Sequence, residues 1–196
     1  MLYIIRHGET AKNKQKLLQG RSDIPLNEQG SFQAVKAAEF FHGKGIRFDA
    51  VYSSPLIRAV QTAMQISHHV APGLEGIRID RRLIEMDYGP YEGMDLENPA
   101  PEVMEFFMDF AGTPAPEGME QLGSVIERMG EFLEEIHEEA MKGDVLISTH
   151  AIAMKGALEY LTPDSHGSYW SKYIGNCDVY AAEVTENGYG VPYELK

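Results

Sequence analysis

Three short apolar runs constrain this chain more than any other feature: LYIIRH from Leu2, FDAVYSS from Phe48 and DVLISTH from Asp144. Each is rich in branched or aromatic residues without polar alternation, as in a strand buried on both faces. Each also ends in polar chemistry, at Arg6 and His7, at Ser53 and Ser54, and at His150. Helix-spaced segments lie between them. After a polar loop, AKNKQKLLQGRSDIPLNEQG, Asn27 reads as an N-cap, and Phe32, Val35, Ala38, Phe40 and Phe41 recur at helical spacing until Gly43 and Gly45. PLIRAVQTAMQISHHV reads as a helix with Pro55 at its first position, about Met119 to Met141 as a long amphipathic helix, and AIAMKGALEYL as another. Asn187-Gly188 inside DVYAAEVTENGYGVPYEL is a hairpin signal. This alternation predicts an α/β fold: one domain over 1–196, a three-layer α/β/α sandwich with a mostly parallel central sheet and helices on both faces. A stretch rich in proline and glycine at about 86–120, with one short amphipathic helix near Val103 to Phe110, breaks the rhythm. It is predicted to be a lid-like insertion over the active end of the sheet.

Composition narrows the ligand. The 196 residues suffice for one well-buried core and are few for two. With 17 basic and 30 acidic residues the net charge of −13 repels nucleic acid and anionic membrane surfaces, so neither is expected as a partner. An anionic ligand must therefore meet a local cluster of cations. Cys177 is the only cysteine, which excludes an intramolecular disulfide framework and a cysteine-rich zinc site. No apolar run nears the roughly 20 residues of a membrane helix, and the N-terminus enters the first strand directly. The expectation is a soluble, cytoplasmic protein; the sequence leaves a homodimer open.

In a parallel sheet the three polar strand ends are neighbours, and ligands bind beyond such carboxyl ends. His7, His150, Arg6 and Arg58, the last one turn into the helix after the second strand, would then converge on one pocket. Two guanidinium groups suit a phosphate, whose oxygens they grip in bidentate, charge-assisted bonds. A neutral imidazole with its second nitrogen held by a hydrogen bond has a lone pair to attack phosphorus, and nearby cations depress its pKa. His7 is the expected attacker. The leaving alkoxide needs a proton, and Glu85 in RLIEMDYGPYEG is the best-placed acid, expected among further carboxylates that would help it keep that proton. His68 and His69 are adjacent on a helix and cannot share a metal through one face; His42, His137 and His166 are expected at helix ends or in loops.

Five segments, in order from Leu2 to Leu158, resemble the signatures of the histidine phosphatase superfamily, also called the phosphoglycerate-mutase-like family. They are LYIIRHGET, SDIPLNEQG (D-x-P-L-T-x-x-G), VYSSPLIRAVQTA (S-S-P-L-x-R-A-x-Q-T-A at every fixed position), LIEMDYGPYEG (L-x-E-x-D-F-G-x-W-E-G) and VLISTHAIAMKGAL. The resemblance implies a phosphohistidine mechanism that needs no metal and no cofactor. By motif position His7 would be the nucleophile, Arg6, Arg58 and His150 the phosphate clamp, and Glu85 the general acid and then the base that activates water. Asn13, Gln19 and Ala151 join Arg6, Arg58 and His150 as the expected phosphate-binding residues. Ala151 and Ile152 stand where the family has two glycines, and Lys155 where it has arginine; Thr149 and Tyr91 are milder departures, and Met119 shifts the spacing of a P-x-G-E-S-like segment. Alanine tolerates close backbone approach to a phosphate less readily than glycine.

Family mutases carry an R-H-Y-G segment and a longer insertion near the acid, where this chain reads EMDYGPYEG. The expected activity is therefore hydrolysis of small phosphate monoesters, with mutase-type transfer and a non-catalytic phosphate-binding protein as alternatives. Leu83 to Glu127 holds eleven Asp or Glu and no Lys or Arg. Overhanging the site, that charge would repel sugar bisphosphates and favour a monoester whose other end is neutral or cationic, such as a phospho-amino acid or a ribazole-type nucleoside phosphate. Alternatively the run is a solvated face. Met94, Met104, Phe106, Phe107, Met108 and Phe110 would either wall the ligand or simply pack the short helix.

Overall fold

A computed structural model describes residues 1–70, 76–110 and 112–196. The apolar runs form the centre of a six-stranded sheet: β1 (Leu2–Arg6), β2 (Ala50–Ser53) and β4 (Val145–Thr149). With β3 (Arg78–Ile79), β5 (Val179–Ala182) and β8 (Tyr193–Leu195), the order is β3-β2-β4-β1-β5-β8. β1 through β4 are parallel, while β5 runs antiparallel to both β1 and β8. Register places Arg6 opposite Thr149 and Ser53 opposite Ser148, so the three polar ends lie side by side at one edge.

Strand alternation sends side chains into two separate cores. Tyr3, Ile5, Val51 and Leu146 pack against α2 (Glu28–Gly43) and α3 (Ile57–Val70). Leu2, Ile4, Val145 and Ile147 face α5 (Leu122–Lys142), α6 (Ala151–Leu161) and the short α4 (Pro101–Met108). The result is the predicted α/β/α sandwich. α5 buries Val125, Met129, Phe132, Leu133, Ile136 and Ala140, a stripe spaced three and four apart. The hairpin at Asn187-Gly188 forms as β6 (Val184–Thr185) and β7 (Gly188–Tyr189), apart from the main sheet.

Three boundaries differ from the sequence reading, each for a local reason. The polar loop contains α1 (Ala11–Lys14), a single turn stabilised by a reciprocal capping box between Thr10 and Asn13. α3 begins at Ile57, not Pro55, because Ser54 Oγ accepts the Leu56 N–H at 3.3 Å and holds 54–56 in a turn. α5 begins at Leu122, not Met119: the Met119 N–H closes a turn on the Pro116 carbonyl, and the Glu120 N–H is drawn 2.8 Å from the Asp87 carbonyl.

The loop after β1 is pressed against the first turn of α2, whose Gly30 N–H is capped by Asn27 Oδ1 at 2.8 Å. A Cβ at Gly30 would lie 2.0 Å from the Glu9 carbonyl oxygen, and one at Gly8 would lie 2.4 Å from the Gly30 oxygen. Both contacts are backbone on backbone, with no flexible side chain to give way. Gly30→Ala should therefore cost about 1–3 kcal/mol, measured as a shift in the urea midpoint; an unchanged midpoint would mean that this loop is loosely held.

Candidate active site

A cavity of about 360 Å³ opens beyond the carboxyl ends of β1, β2 and β4. Arg6, His7, Asn13, Gln19, Arg58, Glu85 and Ala151 line it. His150, fully buried, sits behind them with its ring centroid 5.1 Å from that of His7. The expected catalytic and phosphate-binding residues thus lie in this cavity or, for His150, directly behind it.

His7 is 3 % exposed, and its Nδ1 lies 2.7 Å from its neighbour's carbonyl, Gly8 O, which can only accept. That contact assigns the proton to Nδ1 and the lone pair to Nε2. Arg58 Nε donates to that lone pair at 3.1 Å. Arg58 is 1 % exposed; its two terminal nitrogens donate to the Ser22 and Gly20 carbonyls at 2.7 Å each, and burial pushes it down to about 10, still cationic at neutral pH. The loop carrying those carbonyls is held in turn by Glu92, which accepts the Arg21 N–H at 2.6 Å and the Ser22 hydroxyl at 2.7 Å. Arg6, last in β1, spends Nη1 on the Ile174 carbonyl at 2.5 Å, while its buried Nε has no acceptor.

His150 caps α6 through its backbone position and has Nε2 2.7 Å from Ser54 Oγ. The Leu56 N–H already donates to that hydroxyl, so the Ser54 proton is free to point at Nε2. His150 then carries its proton on Nδ1, which is buried without an acceptor. Arg6 Nε and His150 Nδ1 are two desolvated donors in want of an oxyanion. The sequence places Ser54 at the polar end of β2, but its part as the partner of His150 escaped that reading. So did Asn176, whose Nδ2 donates to the His7 carbonyl at 2.9 Å and to Asn13 Oδ1 at 3.4 Å. With Asn13 Oδ1 so engaged and Gln19 Oε1 accepting from Thr10 at 2.8 Å, their amide nitrogens are the groups left to face a ligand.

Burial, then the charges of Arg58 and Arg6, hold His7 well below its ordinary 6.5; burial, then Arg58 and His7, do the same for His150. Both rings are therefore neutral at pH 7. The unfolded chain takes up these two protons below about 6.5 and the folded chain does not, so stability falls as pH drops from there towards the folded values. The slope is at most about 1.4 kcal/mol per pH unit for each histidine. Urea midpoints at about pH 7.5 and about pH 5.5 check this; equal midpoints would mean that the rings protonate in place.

Glu85, 6 % exposed, has a different setting from the one expected. Its Oε1 accepts the Met86 and Ala153 N–H groups at 2.9 and 3.0 Å, and its Oε2 accepts the Ile152 N–H at 3.3 Å. It thus caps the first turn of α6. Its neighbours are amides, and no other carboxylate of the described residues lines the cavity. The acidic run is occupied elsewhere: Asp87 and Glu120 pair with Arg21, Glu120 also with Arg128, Glu97 with Lys16, and Glu102 accepts from the Tyr91 hydroxyl. Of the proposed apolar wall, Phe107 and Phe110 line the cavity, Phe106 is wholly in the core, and Met104 and Met108 are exposed. Ile152 and Lys155 also line it.

Of the remaining histidines, His42, His68, His69 and His166 are exposed, whereas His137 lies within α5 and not at a helix end, its Nε2 3.0 Å from the Thr185 carbonyl. No three His, Cys, Asp or Glu side chains of the described residues converge to hold a metal ion. No helix among them is long and apolar enough to cross a membrane.

The chain is similar to known proteins. Phosphoserine phosphatase 1 of Hydrogenobacter thermophilus is 32% identical over 173 residues, 87% of this chain and 80% of that one. A 2,3-bisphosphoglycerate-dependent phosphoglycerate mutase of Brucella melitensis is 30% identical over 172 residues, 83% of each chain. Among solved structures, a phosphoserine phosphatase mutant of Entamoeba histolytica in complex with phosphoserine superposes with a TM-score of 0.81 at 25% identity, covering 100% of this chain and 94% of that one. The family model described as histidine phosphatase superfamily (branch 1) matches residues 2–192, and the chain belongs to that superfamily.

Proposed function

We propose that this protein is a phosphatase that hydrolyses small phosphate monoesters through a phosphohistidine on His7. The observation that carries the reading is the polarity of the His7 ring: Nδ1 is tied to Gly8 O, and Nε2 has its lone pair beside Arg58. Arg6, Arg58 and the Nδ1–H of His150 grip the phosphoryl oxygens, with Asn13 and Gln19 at the edge. The backbone N–H of Ala151 lies in the first turn of α6, where an anion is favoured. On binding, Arg58 Nε turns from the imidazole to a phosphoryl oxygen and frees the lone pair.

Nε2 then forms the P–N bond as the ester P–O bond breaks, and Glu85 gives its proton to the departing oxygen. In the second half the Glu85 carboxylate takes a proton from water, the water oxygen attacks phosphorus, the P–N bond breaks, and phosphate leaves with His7 restored. Oε2 is the oxygen suited to these transfers, since its one amide contact is the longest of the three. The guanidinium groups supply the charge stabilisation that a metal would otherwise give, so turnover is expected to need no metal. Residues 86–120, which place Tyr88, Leu96, Phe107 and Phe110 on the cavity, serve as the lid.

A mutase must hold the second phosphate of a bisphosphate while its skeleton turns. Beyond the clamp, Lys155 is the one further cation among the described residues that line this cavity, which favours hydrolysis over transfer. Phosphate release from phosphoserine, phosphoglycerates, ribazole phosphate and sugar phosphates, with EDTA present throughout, tests the reading. Rapid release from one member supports it. Conversion of 3-phosphoglycerate to 2-phosphoglycerate without phosphate release would establish the mutase alternative instead.

A further inference from the structure

We propose that Lys155 reads a carboxylate on the part of the substrate that is not phosphate, so that the site selects small phosphorylated carboxylic acids. The proposal rests on the reading of this cavity as a phosphomonoester site and adds the chemistry of the ester's other end.

α6 is almost wholly apolar, and nine of its eleven residues are buried. Two of the nine, Lys155 and Glu159, are charged, and they differ in how they are satisfied. Glu159 accepts from the Ser165 hydroxyl and from the Gly167 and Tyr169 N–H groups at 3.1 and 2.6 Å, so it fixes the following loop and is spent there. Among the described residues Lys155, 9 % exposed, makes one hydrogen bond, to the Trp170 carbonyl at 2.7 Å, and lies 5.4 Å from the centroid of the Phe110 ring. An ammonium has three donors and a full charge; a tether to one carbonyl needs neither.

One carboxylate of the described residues acts on that charge, and it does so without pairing with it. That is Glu85: its two oxygens are committed to three backbone amides, and it forms no ion pair with Lys155. Burial is the main cause that pushes Lys155 down to about 8; Glu85 acts against it, and Arg6, which also lines the cavity, adds to it. A desolvated cation with no directly paired counter-ion is costly unless a ligand supplies the anion.

Its position fits a second substrate group. Ala151 and Lys155 both line the cavity four residues apart, hence on one face of α6 about 5–6 Å apart at Cβ. A ligand whose phosphoryl group lies at the start of α6 therefore places its next few atoms beside Lys155. Leu17, Leu96, Phe107, Phe110 and Ile152 line the same cavity and offer no hydrogen bonds from their side chains, while Tyr88 and Tyr173 each bring one hydroxyl. One ammonium balances a monoanion; a second phosphate would leave a further charge desolvated against those apolar walls. The cavity, at the small end of the roughly 300–1,000 Å³ range of ligand pockets, suits a short acid. This reverses the preference read from the acidic run, whose carboxylates other than Glu85 do not line the cavity.

The test compares esters that differ only at that end: 3-phosphoglycerate with glycerol 3-phosphate, a carboxylate against a hydroxymethyl group. Wild type should favour the carboxylate by about 10- to 100-fold in kcat/KM. Lys155→Gln, which keeps an N–H for the Trp170 carbonyl, should abolish that ratio through KM, and Lys155→Arg should retain most of it. A wild type indifferent to the pair, or a Lys155→Gln variant that weakens both esters equally, overturns the proposal and leaves Lys155 a tether for the loop. Equilibrium binding of both esters to His7→Ala separates the two readings, because it needs no turnover. If wild type hydrolyses neither ester while the glycerate ester binds at least about tenfold tighter, the carboxylate site stands and the hydrolytic reading falls. If the two bind alike, the carboxylate site falls whatever the turnover.

Discussion

His7→Ala should lose phosphate release by a factor on the order of 10⁴ or more while keeping its fold and its affinity for inorganic phosphate. The ring is a lone pair mounted on a rigid strand. Nδ1 is fixed on Gly8 O, Asn176 holds the His7 carbonyl, and Gly8 is wedged against Gly30. Alanine removes the lone pair but leaves those backbone contacts in place. Arg58 keeps its two carbonyl partners and gains, in Nε, a donor free for an oxyanion. Far-UV circular dichroism and phosphate calorimetry establish the fold and the clamp; turnover of any good substrate measures the loss. Wild type quenched in alkali during turnover should carry phosphate on His7, and acid should release it, as expected of a P–N bond. A variant that still turned over within tenfold of wild type would mean that water attacks phosphorus directly, with His7 only a clamp.

Most of this frame was legible because the strands speak in composition. β1, β2 and β4 are buried on both faces, so their sequences cannot alternate, and their polar ends mark the edge of the sheet at which the cavity opens. Arg6, His7, Ser54 and His150 could be placed at one edge on that ground alone. The partners that set their chemistry were less legible, because they are made by backbone atoms of distant segments. The Gly20 and Ser22 carbonyls that orient Arg58 and the α6 amides that hold Glu85 carry no side-chain signature. The same reason left the acidic run open between two readings: charge counted along the chain says nothing of Arg21 and Arg128, which come from outside it and draw Asp87 and Glu120 into ion pairs. Lys155 was visible as a departure from a motif, yet only its burial beside Phe110 turns that departure into chemistry.

Glu85→Gln should divide the reaction at its midpoint. With an alkyl ester both halves need a proton moved: the leaving oxygen must be protonated, and the attacking water must be deprotonated. Steady turnover should then fall by about 10²–10⁴-fold. With p-nitrophenyl phosphate the leaving phenolate departs without an acid, so the first half survives while the second lacks its base. The variant should release a burst of nitrophenolate close to one equivalent per active site, followed by a slow phase as the phosphohistidine hydrolyses. Glutamine also turns an amide towards the Met86, Ile152 and Ala153 N–H groups, so one carboxylate acceptor is lost at the start of α6 and stability should drop by about 1–3 kcal/mol. A variant with the lowered melting temperature but proportionate losses on both esters and no burst would assign Glu85 to capping α6 and move the proton transfers to another group. The burst separates the roles because a capping defect slows both halves together, whereas a missing base stalls only the second.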